Sequence, residues 1–474
     1  MRQTVLSLLL LATLSAFAVD KMANVVCFVK FADQADDEWN HDFDYYETMF
    51  NDASEGANSV RNYFHDMSYG KMEWTSTIVR TVYVDTRNRT QLCKKSDAAP
   101  DGYTNSVIAS QFLEPAFVAD VCKGIEAALP DDIELDYDGD GEVDNLTLII
   151  NGNSELGSSH LLWPSNNRAT FSTAKLKGKK IGNYLKVFDG ANGYTSLRPN
   201  QINTGVLCHE MTHSLDAFDL YASGSKNPVG VWDLMSDNQT IPQGFTVYMR
   251  KNYGGWIPEV KQLREPGVYT VAPIDSKTAE NVAYKITTSY ASPEYFMVEY
   301  RSKESLWDKS LPNDGLLVYR VNETAENGNL STPYEVYVFR PGGSTTANGT
   351  IANAPLGGST GRVSFGASGD ADYPFYSDGK RADFSITDVK KVDGGMQFAL
   401  SFDVASIEDS FADGESLVYD AVSGELTATG AVSVEIYSVS GMRVVSLRDA
   451  APGLYVARAV FPSGNVKTLK FRKD

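Results

Sequence analysis

The sequence predicts a multidomain chain in which an α/β domain is followed by a β-sandwich and then by a small all-β domain. Its 474 residues exceed one ordinary core, at roughly 150 residues per domain. Hydrophobic residues at 42% and aromatic residues at 11% are enough to fill several cores. Strand and helix patterns alternate up to about Trp256, whereas the later stretches are short strand runs separated by Gly, Pro and Asn. A last change comes at the acidic, apolar-poor "SIEDSFADGES". The expected divisions are 1–18, 19–258, 259–405 and 406–474.

The opening "MRQTVLSLLLLATLSAFAVD" has a basic start at Arg2, an apolar run from Val5 to Phe17 and the small-x-small triplet Ala16-Phe17-Ala18. This is a secretory signal peptide cleaved after Ala18, since the run is shorter than the roughly 20 residues of a spanning helix. No later segment is apolar enough to span a bilayer. The β-branched "NVVCFVKF" then predicts a buried strand. In "SVRNYFHDM", Ser59 can cap a helix that carries Val60, Tyr63, Phe64 and Met67 at helical spacing, with His65 a surface or packing residue. Strand "TSTIVRTVYVD", a helix near Ala116 to Leu129, strands "NLTLII" and "KKIGNYLKVF" and the helix "TGVLCHEMTHSL" complete the α/β pattern.

From "GVYTVAP" through "MQFALSFDV" the runs read as a β-sandwich, with "PGGSTTANGTIANAPLGGSTG" a long surface loop within it. The tail "LVYD", "SVEIYSVSG", "GLYVARAVF" and "VKTLKFRK" alternates as a compact β domain.

A formal net charge of −19 argues against nucleic acid and anionic membrane surfaces, whose phosphates would repel the chain. The four cysteines lack metal-type spacing. Cys27 and Cys208 sit in apolar contexts as buried thiols, and Cys93 with Cys122 is the pair expected to form a disulfide in an exported protein.

The stretch "CHEMTHSLDAFDL" holds two of only five histidines. On a helix, Leu207, Cys208, Met211 and Leu215 fall on one side and His209 and His213 nearly opposite. Histidines four apart lie about 6 Å along the axis, from which two imidazoles can reach one zinc ion. Glu210, displaced around the helix, can contact a water there. This is the H-E-x-x-H arrangement, in which two imidazoles and a carboxylate leave a coordination position open and the glutamate serves as general base.

With "VGVWDLMS", Pro242 and "YGGWI" downstream, "HEMTHSLDAFDLY" resembles the secreted metalloproteases related to immune inhibitor A, which have metzincin-like catalytic domains. The resemblance runs from about Val25 to Val404. It implies a zinc metalloendopeptidase acting on protein or peptide substrates, with His209, His213 and Asp219 as zinc ligands, Glu210 as general base and Met235 in the turn under the metal. Where the family has glycine between the second histidine and the aspartate, this chain has Asp216.

A continuing helix would put Asp216 on the histidine face, yet about 7 to 8 Å along the axis from the midpoint of the pair, too far for so short a side chain. A helix that stops near Asp216 can instead turn back and carry Asp219 beneath the metal. Asp is among the few residues that tolerate the left-handed conformation such a turn needs.

Upstream, "DYDGDGEVDN" places Asp136, Asp138, Asp140 and Asp144 at positions 1, 3, 5 and 9 of a calcium loop, with Gly141 at the sharp turn and the Glu142 carbonyl at position 7. Thr147 at position 12 excludes a full EF-hand. The expectation is a structural calcium ion, against a solvated acidic turn. At the other end, "VEIYSVSGMRV", "GLYVARA" and "KTLKFRK" resemble the C-terminal sorting domain of type IX secretion substrates, over about Ile407 to Asp474. That resemblance implies the type IX machinery as a partner, with export through the periplasm of a Gram-negative bacterium and release or surface attachment. The rival reading is a surface adhesin or glycan-binding protein that uses the β-sandwich, in which Glu210 would have no purpose.

Overall fold

A computed structural model describes residues 20–34, 36–154, 161–169, 172–190, 202–288, 290, 292–402, 416–420, 424–438, 442–462 and 466–473. The signal peptide expected over 1–18 lies outside the described residues. Strand β1 (Asp20–Phe31) is buried from Ala23 onward. Helix α1 (Phe43–Asn51) starts at Asp42, whose carboxylate accepts from Tyr45 N, and α2 (Val60–Met67) at Ser59, whose hydroxyl accepts from Asn62 N. As the spacing requires, α2 buries Val60, Tyr63, Phe64 and Met67, and His65 is exposed.

After β2 (Met72–Asp85), a helical turn α3 (Ser106–Ile108) leads through a π-helical stretch into α4 (Glu114–Ile125). Then come β3 (Glu142–Val143), β4 (Leu146–Ile150), β5 (Ser165–Arg168), β6 (Lys175–Leu176), β7 (Lys179–Ile181), β8 (Asn183–Phe188), α5 (Thr204–Thr212) and α6 (Val247–Asn252). The main sheet has the order β2-β1-β4-β8-β5, parallel except for the edge strand β5. Alternation along β1 feeds two cores. Val26 and Phe28 pack with α1, α2 and α5, while Val25, Cys27 and Val29 pack with α4.

The later strands are β9 (Gln262–Leu263), β10 (Gly267–Val271), β11 (Ala283–Ile286), β12 (Glu294–Arg301), β13 (Gly315–Asn322), β14 (Val336–Val338), β15 (Phe384–Val392) and β16 (Gly395–Phe402). They form a five-stranded sheet, β14-β13-β12-β11-β9, and a three-stranded one, β10-β16-β15. Every residue of β12 and β13 is buried, because the five-stranded sheet is covered on both faces. Tyr295 and Met297 join the core that holds α2 and α5, whereas Phe296 meets Phe384 of β15 with ring centroids 4.9 Å apart. Residues on both sides of position 258 therefore share one core, and the chain through Ser401 is one compact unit. The Gly-rich stretch from 341 to 361 is pinned rather than free. Leu356 is buried and bridges Leu316, and Ile351 O accepts from Trp232 Nε1.

A second unit runs from Phe402 to Asp474. In it β17 (Ser416–Asp420) pairs with β18 (Glu425–Thr429). The strands β19 (Ser433–Ser438), β20 (Arg443–Val444), β21 (Gly453–Val460) and β22 (Val466–Lys473) form a sheet of order β20-β19-β21-β22 over a small core of Tyr455, Ala457 and Phe471.

The expected Cys93–Cys122 bridge is not formed, and all four cysteines are free and buried. Cys122 sits on the apolar face of α4 that packs against β1, in the same core as Cys27, while Cys93 Sγ turns back to donate to Arg89 O. Among the described residues no helix is long and apolar enough to cross a membrane.

Candidate functional site

Helix α5 begins at Asn203, whose side chain accepts from Val206 N at 3.1 Å. Its second residue is glycine because a Cβ on Gly205 would lie 1.7 Å from Gln239 O. The helical wheel turns His209 and His213 away from the apolar stripe, but that face is not open. All of α5 is buried, with His209 and Glu210 each 8% exposed, since the chain after the helix folds back over it.

The fold-back starts where α5 gives way to a 3-10 turn, His213–Leu215. Asp216 then takes φ 60° and ψ 17°, the left-handed conformation that reverses the chain, and its N–H donates to His213 O. Asp216 points to solvent. Asp219 returns to the helix instead, with its Oδ1 3.3 Å from His209 Nε2 and 3.4 Å from His213 Nε2.

The chemistry of these three atoms suits a cation. His209 Nδ1 donates to Leu234 O at 3.0 Å and His213 Nδ1 to Ala217 O at 2.8 Å, which leaves a lone pair on each Nε2. Both lone pairs face Asp219 Oδ1, itself buried without a hydrogen-bond partner. Three electron-rich atoms within 4.8 Å of one another need positive charge between them. Protons are one source. Burial pulls the His213 imidazole down, but Asp219 and Glu210 outweigh it and push the group up to about 9. Burial would raise the Asp219 carboxyl, yet the two imidazoles hold it well below the usual carboxylate range. A divalent ion is the other source, and imidazole with carboxylate suits zinc among the biological metals.

The surrounding groups hold the backbone of this cluster. Asp233 Oδ1 accepts from Met235 N at 2.9 Å, Oδ2 accepts from Thr246 N at 2.7 Å, and Met235 O accepts from Leu220 N at 2.7 Å. The buried Met235 thus lies in the segment that touches both the His209 ring and the Asp219 loop. On the other side, Asn166 of edge strand β5 donates to Glu210 O at 2.8 Å and to Ser214 Oγ at 2.9 Å, satisfying a carbonyl left over at the helix end. Ser214 Oγ donates to Asn145 Oδ1, and Asn145 Nδ2 donates to Asn24 Oδ1, each at 2.9 Å. Sequence patterns do not reveal these polar partners. Their only local signal is an asparagine beside an otherwise apolar strand run, as at Asn24 and Asn145.

In the acidic loop, Asp136, Asp138 and Asp144 bring oxygens within 4.8 Å of one another. Asp140 is not among them; its Oδ1 accepts from Glu142 N at 2.7 Å, and Glu142 lies in β3 beside Lys180. Asp136 Oδ2 accepts from Gly141 N at 3.0 Å and from Lys179 Nζ at 2.8 Å, while its Oδ1 is buried without a partner. Asp144 Oδ2 accepts from Ala23 N at 2.7 Å and Tyr137 N at 3.2 Å. Burial, with Asp138 and Asp136 nearby, pushes its carboxyl up to about 6.

Residues 19–244 match the family model described as immune inhibitor A peptidase M6, catalytic domain. A peptidase domain is therefore present, and it contains both clusters. No curated protein matches the chain.

Proposed function

We propose that the chain is an exported zinc-dependent endopeptidase. The observation that carries this reading is the convergence of two imidazole lone pairs and an unpartnered carboxylate oxygen beside Glu210, within the matched peptidase region. His209, His213 and Asp219 would hold the zinc, and three protein ligands leave a position for substrate or water. Zinc, when bound, supplies Lewis acidity toward the scissile carbonyl and the attacking water.

Glu210 takes the proton as the water oxygen bonds to the carbonyl carbon, and delivers it to the amide nitrogen as the C–N bond breaks. The buried Lys186, whose charge Glu210 feels, is paired with Glu114. Met235 supports the ligands from the turn beneath them. Glu210→Gln should retain zinc and lose casein hydrolysis by about 10²-fold or more. Near-normal turnover with zinc bound would overturn the reading.

Calcium at Asp136, Asp138 and Asp144, with the Asp140 and Glu142 region closing the loop, is the structural ion proposed for the acidic turn. The leader over 1–18 and the C-terminal unit are read as addresses, the latter for the type IX machinery. Deleting 407–474 should leave an active peptidase in the periplasm, and its appearance at the cell surface would contradict that assignment.

A further inference from the structure

We propose that Asn329 is a positioning residue for the zinc ligand Asp219, so that the β region after position 258 completes the catalytic site; this rests on the zinc reading above. Asn329 is fully buried in the connection between β13 and β14. Its N–H donates to Asp219 O at 2.9 Å and its Nδ2 to Leu220 O at 2.8 Å, so one residue grips two consecutive carbonyls of the ligand loop. The same side chain is clamped from behind. Nδ2 also donates to Val336 O at 2.8 Å, and Oδ1 accepts from Val336 N at 3.0 Å. Val336 in turn is paired with Val321 of β13 in the five-stranded sheet.

The neighbouring residue shows how closely the two segments approach. Gly328 has φ 57°, and a Cβ there would lie 2.3 Å from Asp219 O and 2.7 Å from Phe218 Cβ. On the far side of the loop, Leu220 N is held by Met235 O. The peptide that follows Asp219 is thus fixed from both sides, by the Met235 segment through its N–H and by Asn329 through its carbonyl. Asp219 needs this backbone support because its own Oδ1, the coordinating atom, has no hydrogen bond to aim it. Outer partners of metal ligands set affinity by fixing such aim. Asn329 lies outside the matched region 19–244.

The test measures zinc affinity by chelator competition and the visible spectrum of the cobalt(II) form, for the full chain. The variants are Asn329→Asp, which keeps the shape but turns the amide donor into an acceptor facing two carbonyls, and Gly328→Ala, which presses on the same contact from the next residue. Leu400→Ala, a core truncation in β16, serves as the control for a general loss of stability. All are measured well below their melting temperatures. Asn329→Asp should bind zinc about 10- to 100-fold more weakly and show an altered cobalt spectrum, Gly328→Ala should shift in the same direction, and Leu400→Ala should keep wild-type affinity. Should Asn329→Asp fail to fold, Gly328→Ala carries the test alone. Wild-type affinity and spectrum in the Asn329 and Gly328 variants, or losses no larger than in Leu400→Ala, would overturn the inference while leaving the zinc site standing. A wild-type chain that binds no zinc, or a His213→Ala chain that binds it equally well, would bring down the zinc reading and this inference with it.

Discussion

The histidine cluster and the acidic loop each gather three ligand atoms within 4.8 Å, but they differ in what those atoms do in the absence of an ion. At His209, His213 and Asp219 the outward-facing imidazole nitrogens are bound to the backbone, and the Asp219 Oδ1 on which the other two nitrogens converge is left without a hydrogen-bond partner. In the loop, most of the converging carboxylates are already served. Gly141 N and Lys179 hold Asp136, Asp140 N holds Asp138, and Ala23 N with Tyr137 N holds Asp144. Only Asp136 Oδ1 is left buried without a partner. The number of carboxylates therefore does not say how many oxygens are left free for a cation. The first cluster has one carboxylate and only a proton to displace, whereas the second has three and a resident ammonium.

The contrast is broken most directly by Asp219→Ala. Removing the only anionic ligand should cost zinc affinity by two orders of magnitude or more and bring casein hydrolysis to background, because the remaining imidazoles lack both the charge and the third donor. Zinc content by metal analysis checks it, and stoichiometric zinc in the variant would break the assignment.

In the loop the effect should be smaller and conditional. Calcium at ten to a hundred times its dissociation constant should stabilise the chain by about 1.4 to 2.7 kcal/mol, read as a rise in melting temperature after chelation. Asp138→Ala with Asp144→Ala should remove that response. An unmoved melting temperature in the unaltered chain at 10 mM calcium, as a test concentration of about ten times a weak extracellular site's constant, would leave the loop as a plain acidic turn.

Lys179→Met sharpens the comparison further. It removes the built-in cation from Asp136, so the metal-free chain should melt slightly lower and the calcium response should grow. An equal response in both chains would show that the lysine and the ion do not compete.

The smallest effect is expected at Asp216→Gly. Glycine adopts the left-handed conformation without strain, but it also has more freedom to lose on folding. The two terms nearly cancel, so zinc affinity should be unchanged and stability should move by no more than about 0.5 kcal/mol. A loss of zinc here would point to Asp216 rather than Asp219 as a ligand.

Much of this contrast is legible in the sequence itself. Local rules are enough to place His209 and His213 one turn apart, to stop the helix near Asp216 in a left-handed turn, and to mark Ser59 as a residue that can start a helix. The same rules do not foresee that Asp140 Oδ1 accepts from its own turn at Glu142 N, and they misjudge the Cys93–Cys122 pair, which loop context suggests and which stays as two free, buried thiols.

What stays closed to the sequence is what reaches across it. That Asn166 and Ser214 secure the helix end, that Lys179 occupies Asp136, and that Asn329 grips the loop of Asp219 depends on chain segments meeting from positions tens to more than a hundred residues apart. Helix and strand periods report which face of an element is apolar, and caps report where it ends, because both arise among residues within a few positions of each other. A single buried amide carries no period. Its partner is chosen by how the sheets and helices pack, so a boundary drawn at 258 from a change in texture crosses a core that Met211 and Tyr295 share.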